Sequence, residues 1–158
     1  MALNREPIFV ALAARMQSVA GFVTPCSRIF KTFEDVAPEQ QPAMFLLVGN
    51  EEASGDPRQP TRWKLLARLV VYNRHDATPG VVPATAQNAL LTAIEAKLEM
   101  TPGEAATAGI FLGDGDAPHT TLGGLVNTCR IFGTVEKDEG LFQEQGIMEI
   151  PIELTTTA

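Results

Sequence analysis

Apolar and polar positions alternate most clearly between residues 62 and 74. Trp63, Leu65, Ala67, Leu69 and Val71 fall on one side of an extended chain, and Arg62, Lys64, Leu66, Arg68, Val70, Tyr72 and Arg74 on the other. The first set reads as a core face. The second mixes cations with Leu66, Val70 and Tyr72, which suits a face covered by a neighbour and by the chain's own helix rather than bare water. The same period of two returns near the C-terminus, where Met148, Ile150, Ile152 and Leu154 alternate with Glu149, Pro151 and Glu153. Pro151 lacks a ladder donor, so this strand is expected at a sheet edge, or with a bulge or a non-bonding position at the proline. A short apolar run, Ala43 to Gly49, is too brief for three helical turns and reads as a central strand paired with the one before it. Cys26 to Val36 predicts a further strand running into a loop, and Leu125 to Gly140 another.

Two windows carry the helical period instead. Ile8, Phe9, Leu12, Met16 and Val19 form one stripe of a helix expected from Arg5 to about Val19, capped by Asn4 with Pro7 in its first turn. From Pro83 to Glu99 or Met100, good helix formers dominate, with Ala86, Leu90, Leu91, Ile94 and Leu98 on one side and Thr101-Pro102-Gly103 as the stop. The predicted fold is α+β: a mostly antiparallel sheet of about five strands with two amphipathic helices on one face, in the order α-β-β-β-α-β-β. At 158 residues this is one domain, 1–158, with flexible loops near 50–61, 104–124 and 136–146.

Charge narrows the function. Twelve Lys and Arg against nineteen Asp and Glu give a formal charge of -7, which opposes long-range attraction to a polyanion and argues against nucleic-acid binding or an anionic bilayer. The signs are also segregated. Arg58, Arg62, Lys64, Arg68 and Arg74 crowd one stretch, and Glu136, Asp138, Glu139, Glu144, Glu149 and Glu153 the last third. Such a division suits self-association through complementary patches, with two merely solvated faces as the alternative. We expect a subunit interface at Arg62, Arg68, Arg74, Glu144, Glu149 and Glu153, with Leu66, Val70, Phe132 or Phe142 adding apolar contact. The apolar N-terminal run is broken by Arg15 and preceded by Glu6, and no eighteen-residue apolar stretch occurs, so neither an export signal nor a membrane span is expected.

No chemistry-bearing motif is complete. Asp114, Asp116 and His119 place metal-ligating groups within six positions, but counting from Asp114 puts His119 where a calcium loop needs glycine and Leu125 where it needs glutamate. That segment reads as an exposed turn, and no metal or cofactor is expected. Gly109, Gly113 and Gly115 lack the lysine and hydroxyl of a phosphate loop. Cys26 and Cys129 are far apart and read as buried thiols of a reducing compartment. His75 beside Asp76 reads as ordinary loop chemistry, and the acidic pairs Glu51-Glu52 and Asp138-Glu139 sit in polar connectors. Trp63 reads as a core anchor, with an intersubunit anchor as the alternative. No catalytic residue is assigned.

Four segments, in order, resemble the tail terminator (minor tail completion) proteins of long-tailed bacteriophages. They are REPIFVALAARM; FKTFEDVAPEQQPAMFLLVGNEE; RWKLLARLVVYNR with ATAQNALLTAIEAKL; and RIFGTVEKDEGLFQEQGIMEIPIELTT. The resemblance implies an α+β subunit of a ring, typically a hexamer, on the head-proximal end of the tail tube. Such a ring stops tube polymerisation and presents a surface to head-completion proteins. It implies a structural protein rather than an enzyme, assembled in the bacterial host cytoplasm and located in the virion at the head-tail junction. The link between Asn50 and Thr61 and the insertion from Gly109 to Gly124 depart from the family pattern. Two other readings remain open: a head-completion or connector protein of the same joint, and a small cytoplasmic ligand-binding domain or enzyme.

Overall fold

A computed structural model describes residues 2–74, 80, 82–111, 118–138 and 145–157. In chain order the elements are α1 (Glu6–Gln17), β1 (Thr24–Ser27), β2 (Ala43–Ser54), β3 (Arg62–Arg74), α2 (Pro83–Leu98), α3 (Pro102–Ala108), β4 (Thr128–Ile131), β5 (Glu136–Asp138) and β6 (Gln145–Thr157). The fold is α+β. Strand order is β1-β2-β3-β6-β4, with β5 also on β6. The sheet is mixed, because β1 runs parallel to β2 while the other pairs are antiparallel.

The alternation in β3 has the predicted consequence on its first face. Leu65, Ala67, Leu69 and Val71 join Met148, Ile150, Ile152 and Leu154 of β6 beneath Ile8, Leu12 and Met16 of α1 and Leu90, Ile94 and Leu98 of α2. Both amphipathic helices therefore lie on one side of the sheet, and each fully buried aliphatic side chain there contributes roughly 1.5–3 kcal/mol. Gln87, not Ala86, takes the buried position one turn before Leu90. Trp63 is half-buried against this core, with the Arg5 guanidinium 4.5 Å from its ring centroid.

Several boundaries differ from expectation, each for a local reason. Helix α1 starts at Glu6 with Arg5 at the cap and no side-chain cap bond, so Asn4 does not cap it. The expected strand from Cys26 to Val36 stops at Ser27. Its remainder holds a 3-10 turn at Phe33–Asp35 that folds over the second face of the sheet, and a second turn at Pro38–Gln40 follows in the expected loop. On that face Val36, Ala43, Phe45, Val70 and Tyr72 make a smaller core, closed by Phe33 edge-on to Tyr72 and by the Tyr72 hydroxyl donating to the Lys31 carbonyl at 3.0 Å. The link expected from residue 50 to 61 is strand in its first part, since β2 extends to Ser54 opposite Arg62 of β3 and leaves 55–61 as the hairpin loop. A bulge between Val48 and Glu51 accommodates it, and a Cβ at Gly49 would lie 3.0 Å from the Leu66 carbonyl oxygen.

A third helix, α3, occupies part of the expected loop 104–124. Thr101-Pro102-Gly103 does end α2, but Thr101 then opens α3 with a reciprocal capping box to Glu104. The order is thus α-β-β-β-α-α-β-β-β, with two strands in place of the single one expected from 125 to 140.

Strand β6 is central rather than at an edge. It pairs with β3 along its whole length and with β4 and β5 on its other side. Pro151 is tolerated because its carbonyl, accepting from Phe132 N at 3.1 Å, faces the break between β4 and β5; its ring nitrogen therefore faces that break too and costs no ladder bond to β3. Four residues, 132–135, pass opposite only Ile150 and Pro151. Gly133, at φ +118, goes by the ring where a Cβ would lie 3.3 Å from Pro151 Cγ.

Candidate functional site

The second face of the sheet divides in two. Its half near Tyr72 is closed by the chain's own 3-10 turns, whereas among the described residues no element covers its half near Lys64 to Arg68. A groove of about 520 Å³ runs there between Gly49 to Glu52 of β2, Lys64 to Arg68 of β3, Glu149 to Glu153 of β6 and the Phe132 to Glu136 crossing. The strands put Leu66, Arg68, Glu149, Pro151 and Glu153 on this side by parity alone.

Ion pairs line the groove. Arg68 Nη1 meets Glu149 Oε2 at 2.8 Å, with both side chains partly in water. The Glu153 side chain is only 3% exposed and lies between Arg130 Nη2 at 2.9 Å and Lys64 Nζ at 3.5 Å. Lys64 also stands 3.7 Å from Glu52. Between these pairs the apolar Leu66, Phe132 and Pro151 form the walls, and Phe132 is half exposed with the Arg130 guanidinium over its ring.

Of the expected interface residues, Arg68, Glu149 and Glu153 come together here. Because β3 and β6 are neighbours, the opposite charges read as complements between copies first meet within one chain. Arg62 and Arg74 lie exposed at the two ends of β3, opposite Thr157 and Gln145 of β6. Glu144 and Phe142 lie outside the described residues, as do His75, Asp76, Asp114 and Asp116. Val70, expected as an apolar contact, is buried in the smaller core, whereas Leu66 and Phe132 do line the groove. His119 makes an isolated bridge with Glu99 at the end of α2.

A second charged cluster was not foreseen. Arg15 of α1 reaches Glu104 of α3 through two contacts of 3.1 Å, and it also donates to the carbonyls of Lys97 and Glu99. Burial alone would raise the Glu104 carboxyl. Hydrogen bonds from Thr101 N, Thr120 Oγ1 and Gly123 N, with the Arg15 charge, outweigh it and hold the pKa down at about 2. The readable signal was the Thr-Pro-Gly-Glu spacing of a capping box, whereas Arg15 carried none. Cys26 and Cys129 are free and buried, and burial pushes both thiols up to about 12, which leaves them unreactive at neutral pH. Among the described residues, no three His, Cys, Asp or Glu side chains gather as metal ligands. No helix of the described residues is long and apolar enough to cross a membrane.

The chain matches no protein-family model, and no curated protein matches it.

Proposed function

We propose that this protein is a structural ring subunit of a long-tailed bacteriophage virion. It caps the head-proximal end of the tail tube, arrests tube polymerisation and offers a surface for head attachment. Its partners are further copies of itself, in a ring of six, the tail tube protein and a head-completion protein. It acts at the head-tail junction after assembly in the host cytoplasm, as a structural protein without catalysis.

One observation supports this reading most. Among the described residues, half of one sheet face stays uncovered while apolar residues and oriented ion pairs alternate across it, although the same chain covers the other half with its own turns. A surface of that composition matches a protein interface better than a catalytic cleft, since apolar walls give adhesion and the charges give register. The order and spacing of the four tail-terminator-like segments add the location.

Purified protein incubated with polymerising tube protein tests the proposal. Rings of uniform stoichiometry in negative-stain images, with tubes halted at one end by the added protein, are the expected result. A strictly monomeric protein that leaves tube length unchanged would overturn it, and labelling within particles separates the tail end from the portal side of the joint.

A further inference from the structure

The β2–β3 hairpin reaches beyond the core as an arm whose residues from Glu52 to Arg62 are all exposed. Its tip nevertheless forms a hydrogen-bonded turn. Asp56 heads a turn with Pro57 at the second position, in which Gln59 N donates to the Asp56 carbonyl at 2.9 Å and Arg58 N donates to Asp56 Oδ1 at 2.9 Å. A pre-set turn loses little entropy on docking. Among the described residues the Arg58 side chain has no ion-pair partner.

The tip is balanced in formal charge, Asp56 against Arg58, with Asp56 Oδ1 already accepting from Arg58 N, whereas the groove holds an excess of carboxylate. Glu52, Glu136, Glu149 and Glu153 line it, against Lys64 and Arg68, with Arg130 reaching Glu153 from β4. Four carboxylates thus face three cations. Glu136, exposed on the rim, is the carboxylate without a cation within salt-bridge distance among the described residues. An arm of the same chain cannot satisfy it. Glu136 pairs with Glu149, which stands opposite Val70, and the arm begins at Arg62, eight residues or about 26 Å further along β3.

We infer that the arm tip of one copy seats in the open groove of the next, with Arg58 against Glu136 and Pro57 or Pro60 against Leu66 and Phe132. This rests on the ring reading above and names the surfaces that build it. Tip and groove are different patches, so the contact is heterologous and repeats from copy to copy until the ring closes. The charge pair sets the register, and the proline-to-aromatic contact supplies adhesion.

Two variants carrying one new cysteine each beside the charge pair, Gln59→Cys at the tip and Thr134→Cys in the groove, test the contact by cross-linking with a short bis-maleimide. Cys26 and Cys129 are buried and stay silent. The expected result is a covalent dimer from the mixed variants and none from either alone. In parallel, Arg58→Glu and Glu136→Arg should each weaken assembly roughly tenfold or more, as read by solution mass against concentration, and the double reversal should restore it. At concentrations where wild type is dissociated, all variants should melt like it, since the substituted positions are exposed.

If wild type assembles while the reversals assemble equally well and the mixture does not cross-link, the arm-to-groove contact is wrong and the ring stands. If cross-linking and charge reversal behave as expected but tube growth continues, the contact stands and the capping function falls. A wild-type chain that neither associates nor cross-links at any concentration overturns both.

Discussion

The two faces of the sheet hold their charges under different conditions. On the helix-covered face, the Arg15–Glu104 pair sits among backbone carbonyls and hydroxyls, ties α1 to α3 and the end of α2, and accepts from several donors at once. On the open face, the Arg68–Glu149 pair lies half in water, and Glu153 is buried between cations that are themselves partly exposed. The first arrangement fixes helices to the sheet. The second leaves polar atoms and an apolar wall available to a partner. An ion pair near water gives little stability but can give direction, whereas one buried among carbonyls becomes part of the fold.

Substitutions on each face should separate these roles. The largest effect is expected for Ile94→Ala in α2, which removes a fully buried side chain and should cost about 2–5 kcal/mol in denaturant unfolding without acting on the groove. A loss below about 1 kcal/mol would show the helix packing to be loose. Gly146→Ala in β6 should cost about 1–3 kcal/mol, because the new Cβ would lie 2.7 Å from the Asp138 carbonyl oxygen and 2.6 Å from Gln87 Nε2.

Glu104→Gln should destabilise by roughly 2 kcal/mol at neutral pH through the loss of its charge-assisted bonds. The pH dependence sharpens this. Glu104 is held at about 2 in the folded chain, below its ordinary 4.5, so its contribution is complete above about pH 5 and is lost as pH falls toward 2. Urea titrations from pH 6 to 3 should show wild type losing more stability than Glu104→Gln. Parallel curves would mean that the cluster holds no depressed carboxyl.

Arg68→Ala should have the smallest effect on folding, under about 1 kcal/mol, because its pair with Glu149 is solvated. In a ring it should lower assembly more than stability, so a matched fall in melting temperature and association would erase the contrast between the faces.

Of the alternatives that Pro151 allowed for the last strand, the sheet edge fails and the non-bonding position holds. Pro151 forbids one ladder bond, but a strand has two sides, and the chain places the missing donor at a gap that Gly133 makes possible. Local rules state the cost of a proline, not which neighbour will bear it. Arg15 and Glu104 show the same limit for charge: 89 residues separate them, and nothing near either one in the chain announces the other.

The sequence by itself determined what is local or periodic: the two amphipathic helices, the core-facing parity of β3 and β6, the α+β class and the segregation of charge. Side-chain direction follows from backbone period, so these features are legible residue by residue. The pairing of β2 with the strand before it was also legible, but only the tertiary structure decided that this pair is parallel, that β6 is central, and that basic β3 lies beside acidic β6 so that Arg68 meets Glu149 in its own chain. Strand order and long-range ion pairs depend on how distant segments share one core, a competition that no single window of sequence contains.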